Sequence, residues 1–145
     1  MGRKALRAIF PEMTEAEHQR LEARYDEAVV YSRQVGNLYT GSLYLGLMSL
    51  LDNGDLAAGD RIGLFSYGSG AVSEFFSMTL MDDYKKYLTI EGNQVLLAGR
   101  QQLSIEEYEE MFNKKMPTDG ETHTFSDPTN YAINKISGDI RYYNK

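Results

Sequence analysis

The sequence predicts an α/β fold with a buried helix, on three observations. Thr14 and Glu17 frame the start of an amphipathic helix, and residues 43–51 form a helix apolar nearly all round. A short apolar run then ends at Gly68-Ser69-Gly70, ahead of residues that alternate in polarity. With 145 residues, 42% apolar and 25% charged, the chain has material for one domain with a sizeable core, so residues 1–145 are read as a single domain.

Pro11 precedes Thr14-Glu15-Ala16-Glu17, where Thr14 can accept the backbone N–H of Glu17 while the Glu17 carboxylate reaches back; the helix so started runs to about Val30. Leu21, Tyr25, Ala28 and Val29 fall at i, i+4, i+7 and i+8 and make its apolar stripe, with Glu15, Arg20, Glu22 and Asp26 largely off it. From Val35 the character changes. Gly36-Asn37-Leu38-Tyr39-Thr40-Gly41-Ser42 is a turn-rich approach to Leu43–Leu51, whose all-round apolarity predicts a buried helix. Gly46 within it costs about 1 kcal/mol relative to alanine, which points to close packing against another backbone. Asp52–Asp55 and Ala57–Asp60 supply turns.

Arg61–Tyr67 is apolar and β-compatible and predicts a buried strand closed by a tight glycine turn. Val72, Phe76, Met78 and Leu80 share one parity, which predicts a second strand. Asp82–Tyr87 reads as a solvated turn or short helix. Ser104 with Glu107 forms a second capping box, and Tyr108, Met111 and Phe112 make the apolar stripe of a helix to about Lys115. Pro117 to Pro128 reads as a polar loop, and Tyr131–Tyr143 as a strand with one irregularity.

Composition narrows the chemistry. The chain has no cysteine, which removes disulfides, thiolate metal sites and cysteine nucleophiles. Fifteen Lys+Arg against 21 Asp+Glu leave a net charge of −6 with no basic run, so nucleic acid is not an expected partner. Polar residues interrupt every apolar run before a membrane-spanning length, and the start Met-Gly-Arg-Lys-Ala-Leu lacks the apolar core of a signal peptide. No membrane association is expected, and the cytoplasm is the expected compartment.

Gly68-Ser69-Gly70 is the most informative local feature. Its glycines let a ligand approach the backbone, and successive N–H groups can hold a carbonyl oxygen or phosphate; the plain alternative is a tight turn between strands. Ser73 at the third glycine position breaks a dinucleotide fingerprint. Leu64 ahead of Ser66, and Tyr67 and Ala71 around Ser69, break a nucleophile elbow in both registers. Ser69 therefore reads as a binding rather than an attacking group. Asn37 can orient a substrate carbonyl or a catalytic imidazole; alternatively it occupies a left-handed turn position while Thr40 or Ser42 caps the helix. His18 and His123 read as solvated side chains without metal partners, and Glu106, Glu107, Glu109 and Glu110 as helix surface.

Two segments taken together, Gly36–Tyr44 and Gly63–Ala71, resemble the bacterial hydroxymethylglutaryl-CoA synthases of the thiolase superfamily. The resemblance extends to Met1–Leu6, Asp52–Gly59, Ser104–Phe112 and Asp139–Tyr143. It implies a thiolase-like layered α/β fold, with this chain an incomplete C-terminal half carrying a buried helix and a mixed sheet. The implied reaction belongs to the mevalonate pathway. An enzyme-bound acetyl group from acetyl-CoA condenses with acetoacetyl-CoA, and hydrolysis releases hydroxymethylglutaryl-CoA, with CoA as the other product and no cofactor.

The family's cysteine nucleophile, acid/base glutamate and histidine are expected upstream of the position matching Met1. No catalytic residue is therefore expected in this chain, which should be inactive alone. The resemblance assigns Lys4 to the CoA entrance, Asn37 to the acyl substrate, and Ser69 with Gly68 and Gly70 to the acyl and thioester groups, with Tyr39 as a pocket wall. It also implies a partner N-terminal region, a homodimer and, in the isolated chain, exposed apolar surface leading to self-association. The competing reading is a noncatalytic α/β binding or interaction module.

Overall fold

A computed structural model describes residues 2–145. The chain forms two compact units, Met1–Arg100 and Gln101–Lys145. The first contains helices α1 (Gly2–Ile9), α2 (Glu15–Ala28), α3 (Val30–Val35) and α4 (Gly41–Asn53). Strands β1 (Arg61–Gly68) and β2 (Val72–Thr79), a 3-10 turn at Tyr84–Tyr87 and helix α5 (Ile90–Ala98) follow. The second contains α6 (Ile105–Asn113), β3 (Thr122–Thr124), β4 (Ile133–Ser137) and β5 (Ile140–Tyr143).

The second helix, α2, begins as its local sequence dictates. Thr14 Oγ1 accepts the Glu17 N–H at 3.4 Å, and the Glu17 carboxylate accepts the Thr14 hydroxyl at 2.7 Å and the Thr14 N–H at 2.8 Å, which together, the hydroxyl first, hold the Glu17 carboxyl below its ordinary range. The helix does not run unbroken to Val30: it stops at Val29 (φ −103°, ψ 2°) and resumes as α3. Ser49 of α4, fully buried, serves the break. Its Oγ accepts the Tyr31 N–H at 3.3 Å and donates to the Glu27 carbonyl at 2.6 Å, replacing helical partners that the interruption removes. Gly46 lies against this region as its sequence context suggests, since an added Cβ would sit 3.6 Å from the Ala28 carbonyl oxygen.

Tyr31, only 3% exposed, donates its hydroxyl to Asp52 at 2.7 Å, and Asn93 of α5 donates to the same carboxylate oxygen at 2.7 Å. One acceptor thus ties α3 and α5 to the end of α4. Burial, with the Asp52 carboxylate adding to it, pushes the Tyr31 phenol up to about 12. α1 is held through Arg3 to Asp26 (2.6 Å) and Arg7 to Glu22 (2.9 Å).

Leu56, Ile62, Leu64 and Leu80 form the core, with Leu43, Leu47, Leu50 and Leu51 of α4 and Tyr84 packed on it. The predicted buried strand is therefore half buried: Ile62 and Leu64 point inward, whereas Phe65 and Tyr67 are exposed, and β2 is exposed along its length. Only one face of the hairpin, near its base, is covered by α4.

In the second unit the capping box again starts the helix as predicted, Ser104 with Glu107. Tyr108, Met111 and Phe112 are nevertheless exposed; the two rings stack with centroids 5.9 Å apart. The presumed polar loop at 117–128 contains β3, and Tyr131–Tyr143 is a hairpin of two strands rather than one. Gly138 (φ 54°) and Asp139 (φ 62°) turn the chain, two left-handed residues of the kind that match a two-residue hairpin to the twist of its strands. The irregularity is real and lies between Ile133 and Lys135. Ile136 is buried, and Lys135 lies over the Tyr142 ring at 4.4 Å. The expected mixed sheet is replaced by two antiparallel sheets, β1-β2 and β3-β4-β5, because every pair in the described residues runs antiparallel.

Candidate functional site

The two motif segments meet in the first unit, around a cleft of about 650 Å³ between α1, α2, α4 and β1. Leu43, Leu47, Leu50, Ile62 and Leu64 make its floor, and Tyr39, Thr40 and Ser42 approach it from one motif, Ser66 and Tyr67 from the other. The cleft combines an apolar wall with a few hydroxyl groups, the usual chemistry of a small-molecule site.

The Asn37 loop is wired by side chains. Gly36 closes α3 with φ 88° and donates its N–H to Ser32. Asn37 Oδ1 accepts the Tyr39 N–H at 2.8 Å and the Ser42 hydroxyl at 3.0 Å, while Ser42 Oγ accepts the Leu38 N–H at 2.8 Å. This Asx turn places Tyr39, not Asn37, in the left-handed region (φ 53°) and leaves it 89% exposed at the cleft rim. Thr40, the N-cap residue of α4, makes no side-chain cap bond. Sequence reading weighed Ser42 only as a cap; the signal it offered was a hydroxyl five residues after the asparagine.

The Ser69 turn is built differently. Gly68 and Val72 face each other at the end of the hairpin, and Gly70 (φ 91°) and Ala71 (φ 58°) make the reversal. Gly70 is needed for its backbone conformation alone, since an added Cβ would meet nothing within 4 Å. Ser69 is exposed, with no side-chain hydrogen bond among the described residues. Lys4 is exposed on α1, whose Leu6 and Ile9 line the cleft, and has no ion pair among the described residues. Asn37, Ser69 and Lys4 thus stand on elements that border the cleft without lining it themselves. Tyr39 does line it.

The remaining candidates lie elsewhere. His123, read as lacking a partner within sequence reach, has one at i−4: its Nε2 lies 3.0 Å from both Asp119 oxygens, which holds the Asp119 carboxyl below its ordinary range. No group of three or more metal-ligating side chains assembles among the described residues, and no described helix is long and apolar enough to cross a membrane.

Residues 4–143 match the family model described as hydroxymethylglutaryl-coenzyme A synthase C terminal. The chain belongs to the hydroxymethylglutaryl-CoA synthase family. It is 53% identical over 144 residues to the hydroxymethylglutaryl-CoA synthase of Enterococcus faecalis, covering 99% of this chain and 37% of that protein. Among solved structures, it superposes on a hydroxymethylglutaryl-CoA synthase complexed with CoA with a TM-score of 0.80 and 38% identity, over 97% of this chain and 38% of the other. The curacin-pathway HMG synthase in complex with acetyl donor-ACP gives 0.76 and 28%, over 98% and 38%. The chain therefore spans a little over a third of the length of these synthases, and its fold is thiolase-like α/β.

Proposed function

We propose that this chain supplies the acyl- and CoA-binding portion of a hydroxymethylglutaryl-CoA synthase, acting with a region that carries the family's nucleophile. The observation that carries the reading is the 53% identity spread over nearly the whole chain, which includes both motif loops. The reaction is an acyl transfer with carbon–carbon bond formation. The carbanion of an enzyme-bound acetyl group attacks the ketone of acetoacetyl-CoA, the ketone oxygen takes up the negative charge and then a proton, and water releases hydroxymethylglutaryl-CoA from the enzyme. CoA leaves when acetyl-CoA acylates the nucleophile.

In this scheme Lys4 meets the phosphates or pantetheine arm of CoA as an exposed cation. Asn37 offers an amide N–H to an acyl oxygen, where a fixed donor is worth most as charge develops. The backbone of Gly68-Ser69-Gly70 closes on the thioester, and Tyr39 walls the cleft. The working assembly is a homodimer in the cytoplasm.

The test mixes this chain with a separately made N-terminal region and follows CoA release from acetyl-CoA plus acetoacetyl-CoA. Turnover is expected from the mixture and none from the chain alone. A folded mixture without activity overturns the reading in favour of a noncatalytic binding module.

A further inference from the structure

We propose that Ser42 is the positioning residue of Asn37, locking its side chain so that only the Nδ2 donor faces outward and the loop accepts only a hydrogen-bond acceptor such as a carbonyl oxygen. Two backbone N–H groups decide the direction of every proton in the loop. The Tyr39 N–H lies 2.8 Å from the Asn37 side chain and must meet its oxygen, which settles which end of the amide is Oδ1. The Leu38 N–H lies 2.8 Å from Ser42 Oγ, so that oxygen is an acceptor there and its own proton goes to Asn37 Oδ1 at 3.0 Å. Both lone pairs of Oδ1 are then occupied. Asn37 is exposed, and its Nδ2 has no hydrogen bond among the described residues. What remains outward is a donor of fixed orientation. Ser42 sits in the first turn of α4, so the rigidity of that helix passes to the amide through one hydroxyl. Without it, Oδ1 keeps a single donor and the amide is free to swing.

The inference rests on the proposed function for its ligand, the carbonyl oxygen of an acyl thioester, but not for its geometry. Amide exchange measured by NMR on this chain tests the geometry. Ser42→Ala is expected to speed Leu38 exchange about fivefold and to loosen Tyr39, while Ser42→Thr restores both and Asn37→Asp, which keeps the acceptor, leaves both protected. Unchanged Leu38 and Tyr39 exchange in Ser42→Ala overturns the positioning role.

In the complemented assay, Asn37→Asp is expected to lower turnover about a hundredfold. Ser42→Ala should lower kcat about tenfold with KM for acetoacetyl-CoA nearly unchanged, and Ser42→Thr should recover it. Full turnover by Asn37→Asp overturns the donor assignment. An inactive wild-type mixture counts against the proposed function, and the exchange rates still decide the role of Ser42.

Discussion

The two loops that border the cleft are made by opposite means. The Asn37 loop is held by side chains: an asparagine oxygen and a serine hydroxyl gather three donors within six residues. The Ser69 turn is held by backbone conformation, through two consecutive left-handed residues at the tip of an exposed hairpin. The first can present a side-chain donor at a defined angle without help from elsewhere. The second presents backbone N–H groups, and its placement depends on how firmly β1 is packed at its base.

The largest effect should come from removing that shared base. Leu64→Ala is expected to destabilise the first unit by about 2–5 kcal/mol, read from urea unfolding, because Leu64 is buried where the hairpin meets α4. Exchange should rise along β1 and β2 before it rises at Leu38 and Tyr39. If the Asn37 loop opens first, its independence is wrong.

Alkali offers a second way to loosen the scaffold. The Tyr31 phenol, raised to about 12 in the folded chain, stabilises the fold fully below its unfolded value near 10, and this contribution is lost as pH rises from about 10 to 12. The melting temperature should fall across that window and do so less steeply in Tyr31→Phe, as followed by circular dichroism.

The loops themselves then separate. Gly70→Ala should cost about 1–2 kcal/mol through strain alone, because φ 91° is unfavourable for an L-residue even in open space. Asn37→Ala should cost about 1 kcal/mol by leaving Tyr39 left-handed without its Asx partner. Smallest of all, Ser69→Ala should change stability by less than about 0.5 kcal/mol, measured in the same urea series. A greater loss would mean that the hairpin tip is wired after all.

The hairpin also carries exposed apolar side chains. Phe65, Tyr67, Val72 and Phe75 are all exposed on the hairpin. Sedimentation of the isolated chain should show self-association that lessens when the N-terminal region is added. A sharp monomer at all concentrations contradicts this.

Three helix starts and the first hairpin were legible residue by residue. The capping boxes at Thr14 and Ser104, the apolar run at Leu43–Leu51 and the glycine turn between two strands are signals that act within one helical turn or one hairpin, and each produced a helix or hairpin where expected. The helix expected to be buried nevertheless hides only Leu45 and Ser49 and leaves Tyr44 exposed, because the hairpin covers one side of it. Asn37 and Ser69 were legible as candidate groups for the same reason, being polar residues set among glycines, and the structure places both beside the cleft rather than in its lining. Four elements were not. α1 is eight residues long, too short to persist without Asp26 and Glu22, and α3 exists because Ser49 serves the break before it. α5 is tied down by Asp52, and β3 is a strand only because β4 pairs with it.

From the sequence alone came the class of fold, the start of three helices, the first hairpin and the two polar, glycine-flanked loops, since capping, periodicity and turn chemistry operate over a few neighbouring residues. The tertiary structure decided what those loops present. Tyr39 rather than Asn37 became left-handed, and Asp52 acquired two donors from residues 21 and 41 positions away. A hydrogen bond across such distances depends on where helices come to rest against a core, and no local pattern of residue types encodes that position.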